Sequence, residues 1–167
     1  AGRVLDVGGY LGETALLMKK WGATEVVVYE PDHVLAQHAR ETMLLNGVKG
    51  VVHELFVNCS CEGKSVSWAE VLEEKFEVAK VDCEGCEEGL LKLADDYIRK
   101  VPKWVIECHS QQTLRLLGEK FLRAGFVVTF KPYFMKYYLV VGRERVFQPL
   151  VEIPEEVRYF TMAARLT

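Results

Sequence analysis

The sequence predicts an α/β fold: a Rossmann-like doubly wound sheet, mostly parallel, with a C-terminal antiparallel hairpin. Three observations carry this. Strand-length apolar runs alternate with helix-period segments five times along the chain. The runs are near-continuous and rich in β-branched residues, as in Val26-Val27-Val28-Tyr29, which suits strands covered by helices on both faces. The first run, Val4-Leu5-Asp6-Val7, breaks at Gly8-Gly9 and reopens as a helix, the junction where α/β sheets hold nucleotide-like ligands.

Each element follows from local signals. Residues 3–7 read as a strand. Residues 12–21 form a helix with Ala15, Leu16, Leu17, Met18 and Trp21 on one face, Lys19-Lys20 in the last turn and Gly22 as its stop. Residues 24–30 make a second strand. Pro31-Asp32 open a helix capped by Asp32 and ended by Asn46-Gly47. Residues 51–57 are a third strand and 58–65 a polar loop. Ser67 and Glu70 stand at capping-box spacing at the head of a short helix over 67–75. Residues 76–82 are a fourth strand, followed by one helix carrying Leu90, Leu91, Leu93, Ala94, Tyr97 and Ile98. Residues 103–109 are a fifth strand and 111–124 a helix. Residues 126–132 and 136–142 read as two strands of a hairpin.

The 167 residues make one domain, 1–145, with 146–167 as a C-terminal extension that fits no repeating unit: an extra strand, a lid or an arm on another subunit. Half the residues are hydrophobic and 27% are charged, an ordinary globular balance. A net charge of -3 gives no general reason to bind nucleic acid or an anionic membrane, and no apolar run is long enough to span one. With no signal peptide and an odd number of cysteines, five, a reducing, cytoplasmic setting is expected.

The glycine turn narrows the ligand. A dinucleotide site wants G-x-G-x-x-G, but Val7 stands where the first glycine should be when Gly9 and Gly12 are aligned. An acidic residue, Asp6, two places before Gly8 is awkward beside a pyrophosphate. It suits a ligand with a sulfonium and an ammonium and no phosphate, S-adenosylmethionine. Gly8, Gly9 and Gly12, with Tyr10 between them, would let the backbone approach that ligand. Glu30, twenty-two residues after Gly8, suits the ribose hydroxyls, and Pro31 and Asp32 follow it toward the adenine. The competing reading is a plain strand-to-helix turn with a solvated Glu30.

Lys80-Val81-Asp82-Cys83-Glu84-Gly85-Cys86-Glu87 resembles the K-I-D-x-E-G-x-E signature of the FkbM family of class I methyltransferases. Tyr29-Glu30-Pro31, Asn46-Gly47, Asn58 and the run Trp104-Val105-Ile106-Glu107-Cys108-His109 fall in that family's order. The resemblance covers residues 1 to about 142; neither a segment before the first strand nor a counterpart of residues from Val146 onward is matched. It implies the class I methyltransferase fold, S-adenosylmethionine as cofactor, Asn58 and Asp82 beside it, and O-methylation of a small-molecule or sugar hydroxyl. A hydroxyl acceptor needs a base, and Asp82, Glu84 and His109 are the candidates, with Glu107 beside them. Glu87 should stand with Asp82 and Glu84 near the donated methyl group, and reads equally as a residue that caps or salt-bridges within its own helix. Cys59, Cys61, Cys83, Cys86 and Cys108 lie past strand ends, where zinc ligation competes with inert buried thiols; the thiols are preferred and no metal is expected, because the loop after the third strand should lie far from the fourth. The aromatics Phe130, Tyr133, Phe134, Tyr137 and Tyr138 read mainly as core, the rest as a pocket wall or a homodimer face. The alternatives are an RNA methyltransferase, disfavoured by the absent basic stripe, and a non-catalytic cofactor-binding subunit.

Overall fold

In a computed structural model, residues 2–58, 64–132 and 160–166 are described. Seven strands form one sheet: β1 Arg3–Val7, β2 Glu25–Tyr29, β3 Gly50–His53, β6 Val78–Val81, β7 Lys103–Cys108, β8 Phe126–Pro132 and β9 Phe160–Leu166. Their order is β3-β2-β1-β6-β7-β9-β8. The first five are parallel, and β9 runs antiparallel to both β7 and β8. Two further strands, β4 Phe56–Val57 and β5 Ser65–Val66, pair separately.

The helices divide between the two faces as the strand alternation demands. Helices α1 Glu13–Lys20 and α2 His33–Leu45 bury Ala15, Met18, Ala36, Ala39 and Met43 against Val4, Val26 and Val28. The other face packs Leu5, Val7, Val27 and Ala79 against α3 Trp68–Val71, α4 Asp95–Arg99 and α5 Gln111–Arg123. There Trp68, Trp104, Phe121 and Phe126 form a chain of tilted and edge-on ring contacts, 5.1 to 6.2 Å between centroids. Apolar burial on both faces is what makes the strand sequences unbroken rather than alternating.

Three expectations are corrected. Residues 136–142, expected to form a hairpin with β8, lie outside the described residues; the described partner of β8 is Phe160–Leu166 of the C-terminal extension, inserted between β7 and β8. The third strand ends at His53, and Phe56–Val57 leaves the main sheet to pair with Ser65–Val66. The capping box at Ser67 is formed, but its helix stops at Val71. The single helix after the fourth strand is a 3-10 helix, Cys86–Lys92, followed by α4, because Leu93 and Ala94 are extended.

Candidate functional site

The carboxyl ends of β1 and β6 are neighbours at the point where the strand order reverses, so the glycine turn and the loop after β6 face each other. Gly8 (φ 79°), Tyr10 (φ 49°) and Gly12 (φ 86°) are all left-handed. A Cβ on Gly8 would strike the Asp82 carbonyl, and one on Gly9 the Val28 side chain. The turn hangs from β2, with Gly8 N donating to the Tyr29 carbonyl at 2.9 Å. Glu30, 6% exposed, clamps it from the side: Oε2 accepts from Tyr10 N at 2.9 Å and Oε1 from Asp32 N at 3.0 Å. Asp32 in turn caps α2 by accepting from Leu35 N at 2.9 Å. Tyr10 and Leu11 project outward, 54% and 40% exposed.

Beneath the turn lies a buried ion pair. Asp6 is fully buried, with Lys80 Nζ 3.0 Å from its Oδ1. Lys80 also donates to the Gly8 carbonyl at 2.7 Å and lies 3.8 Å from Asp82. Among the described residues neither Asp6 oxygen makes an aligned hydrogen bond. Burial pushes the Asp6 carboxyl up; burial also works against the Lys80 charge, but Asp6 and Asp82 outweigh it and raise the ammonium.

The loop after β6 is tightly folded. Glu84 (φ 51°) and Gly85 (φ 123°) turn the chain so that Cys83 and Cys86, with Cα atoms 5.5 Å apart, close a disulfide. This corrects the expectation of inert thiols at these two positions. Cys108 is a free, buried thiol, pushed up to about 12 by burial. Cys59 and Cys61 lie outside the described residues. The side chain of Asn58 lies where a Cβ on Gly89 would fall, so this end of the loop does reach the segment after β6, against expectation. It does so because β4 leaves the main sheet.

Glu87, 1% exposed, organises the end of β7. Its Oε2 accepts from Gly85 N at 2.8 Å; its Oε1 accepts from His109 Nδ1 at 3.0 Å and His109 N at 3.3 Å. Burial works to raise Glu87, but these bonds prevail and hold it below the usual range. The bond from Glu87 raises His109, against burial. Burial and the nearby Asp82 charge raise Glu107.

One donor atom from each of Asp82, Glu107 and His109 lies within 4.8 Å of the others. Of the three base candidates, Asp82 and His109 thus meet in one corner. Glu84 is exposed at the tip of the turn and is not part of that group. Gly8, Gly9, Tyr10, Gly12, Glu30 and Pro31 gather around the β1–α1 turn. Sequence reasoning understated three residues: Lys80 as the partner of Asp6, Glu87 as the holder of His109, and Glu107 as the third member of the corner. The alternation of β7 carried a signal for the last, because Glu107 and Val105 share a half-buried face opposite Trp104, Ile106 and Cys108.

No protein-family model matches the chain, and no curated protein sequence does. Solved structures do. The precorrin-6y C5,15-methyltransferase of Geobacter metallireducens GS-15 superposes with a TM-score of 0.61 at 12% identity, over 99% of this chain and 79% of that one. An rRNA methylase of Streptococcus thermophilus gives 0.59 at 10%, over 99% and 87%. The ribosomal protein L11 methylase of Lactobacillus delbrueckii subsp. bulgaricus gives 0.57 at 16%, over 99% and 70%. These likenesses show the class I methyltransferase fold. Their names span a cofactor precursor, an RNA and a protein, so the fold does not select a substrate type. Among the described residues, no helix is long and apolar enough to cross a membrane.

Proposed function

We propose that this chain is an S-adenosylmethionine-dependent methyltransferase acting on a hydroxyl of a small molecule or glycan. The observation that supports it best is the left-handed turn Gly8–Gly12, clamped by Glu30 and set against Asp82, on this fold. The residues suit the cofactor. Gly8 and Gly9, lacking a Cβ, let the turn pack directly against the Asp82 carbonyl and Val28, Tyr10 and Leu11 present exposed surface on its outer side, and Glu30 fixes the turn through the Tyr10 and Asp32 backbone N–H groups. When bound, S-adenosylmethionine supplies an electrophilic methyl group.

In this reading Glu30 and Pro31 hold the ribose and adenine side, and Asn58 and Asp82 flank the cofactor. Asp6 acts from beneath: through Lys80 it fixes the Gly8 carbonyl. The Asp82, Glu107 and His109 corner receives the acceptor hydroxyl and its proton, with Glu84 at the mouth. Alignment of the two reactants supplies much of the rate. The carboxylates of this corner would repel a phosphate backbone, which favours a small molecule or glycan over RNA. The FkbM resemblance of Lys80–Glu87 supports O-methylation.

Calorimetry on the folded chain tests the cofactor. One S-adenosylmethionine should bind per chain, with no comparable heat from NAD. No binding of S-adenosylmethionine overturns the reading.

A further inference from the structure

We propose that Asp82, Glu107 and His109 form a binding site for a divalent cation of the manganese type. Their donor atoms come from the ends of two adjacent strands, β6 and β7, and lie within 4.8 Å of one another. Two donors opposite one another on a cation with bonds of ~2.1 Å are about 4.2 Å apart, so little movement closes the set around an ion.

The surroundings argue for a ligating cluster rather than a mere crowd of acids. Metal-binding histidines ordinarily donate their other ring N–H to a carboxylate, which fixes the ring and its tautomer. Glu87 does this for His109: it is buried, is itself held by Gly85 N, and accepts from Nδ1 at 3.0 Å. That bond leaves the lone pair of the neutral ring on Nε2. The charge balance points the same way. Asp82, Glu107 and Glu87 bring three carboxylates together, and Lys80, the nearby cation, sits closer to Asp6 (3.0 Å) than to Asp82 (3.8 Å). Two carboxylates and one imidazole form a mixed oxygen and nitrogen donor set of the kind that first-row divalent ions take, manganese among them, whereas magnesium and calcium favour all-oxygen shells.

The site deepens the methyltransferase reading and, as to its role, rests on it. A cation here would bind the acceptor through its hydroxyl oxygen and lower that hydroxyl's pKa, and because Asp82, Glu107 and His109 would then be ligands rather than bases, the proton would leave to solvent. Three protein donors leave positions open for two oxygens, which selects acceptors with a vicinal diol or an α-hydroxy acid. The cation site itself rests on side chains alone, so its test needs neither cofactor nor acceptor.

The test uses the full chain, stripped with a chelator and titrated with MnCl2 under electron paramagnetic resonance. One Mn²⁺ should bind per chain, with a pulsed-resonance coupling to an imidazole nitrogen. Glu107→Gln and Glu87→Gln should each weaken binding at least tenfold, with circular dichroism reporting that they fold. Failure of the wild-type chain to bind Mn²⁺ overturns the proposal, and so does binding without nitrogen coupling. S-adenosylmethionine calorimetry on the same stripped sample separates the two claims. Retained cofactor binding without Mn²⁺ sinks the cation site alone; Mn²⁺ binding without cofactor binding sinks the methyltransferase reading and leaves the ion site standing.

Discussion

The Glu87 carboxylate bonds both the ring Nδ1 and the backbone N–H of His109, tying the loop after β6 to the end of β7. One buried acid therefore sets the position of a site histidine twenty-two residues away in the chain. It also makes stability depend on pH in a defined window.

In chelator-treated protein, the Glu87–His109 bond should stabilise the fold most between the ordinary carboxylate and imidazole ranges. His109 is raised in the folded state, so its contribution is full below the unfolded imidazole pKa and fades as pH rises through the folded one. Glu87 is lowered, so its contribution is full above the unfolded carboxylate pKa and fades as pH falls through the folded one. Urea titrations of wild type and Glu87→Gln from pH 4 to 9 should show the widest gap at about pH 5–6. A gap that grows steadily toward pH 9 would contradict this.

Lys80→Met should be strongly destabilising, by about 3–5 kcal/mol, because it strands the buried Asp6 carboxylate. Adding Asp6→Asn should recover a large part of that loss. Denaturant midpoints of the two single variants and the double variant measure the coupling; simple additivity would show that the pair does not act as a unit.

Gly8→Ala should cost at least about 1 kcal/mol from its positive φ alone, and more from the collision with the Asp82 carbonyl. S-adenosylmethionine affinity should fall with it. Gly22→Ala, also at positive φ but at the far end of α1, should share the strain and spare the affinity. Equal affinity losses in both variants would remove the turn from the cofactor site.

Alkylation without reductant should leave Cys83 and Cys86 unmodified, and prior reduction should expose them. Cys108 should resist in the folded protein, since its thiol is buried and held largely protonated. Peptide mapping by mass spectrometry reads all three.

The fold was legible because strand and helix periods alternate and both sheet faces are apolar, as in Val26–Tyr29. The glycine turn, Asp82 and His109 were legible because their residue types are demanding at strand ends. The non-local pairings were not. Residues 136–142 carry the β-branched and aromatic content of a strand while Phe160–Leu166 do not alternate, and periodicity carries no information on which strand enters between β7 and β8. The break of the third strand at Glu54-Leu55 carries no glycine or proline to announce it. The disulfide depends on left-handed geometry at Glu84, a residue type that seldom adopts it. Glu87 was ambiguous because any acid in a first helical turn resembles a cap; only the fold brings His109 to it.

The most direct test of the methyltransferase reading is an amide NMR titration of this 19.0 kDa chain with S-adenosylmethionine. Shifts should concentrate at Gly8, Gly9, Tyr10, Gly12, Glu30, Asn58 and Asp82, saturate at one ligand per chain, and be absent with NAD. An unshifted spectrum at saturating S-adenosylmethionine, or shifts confined to the β8–β9 edge, would contradict it.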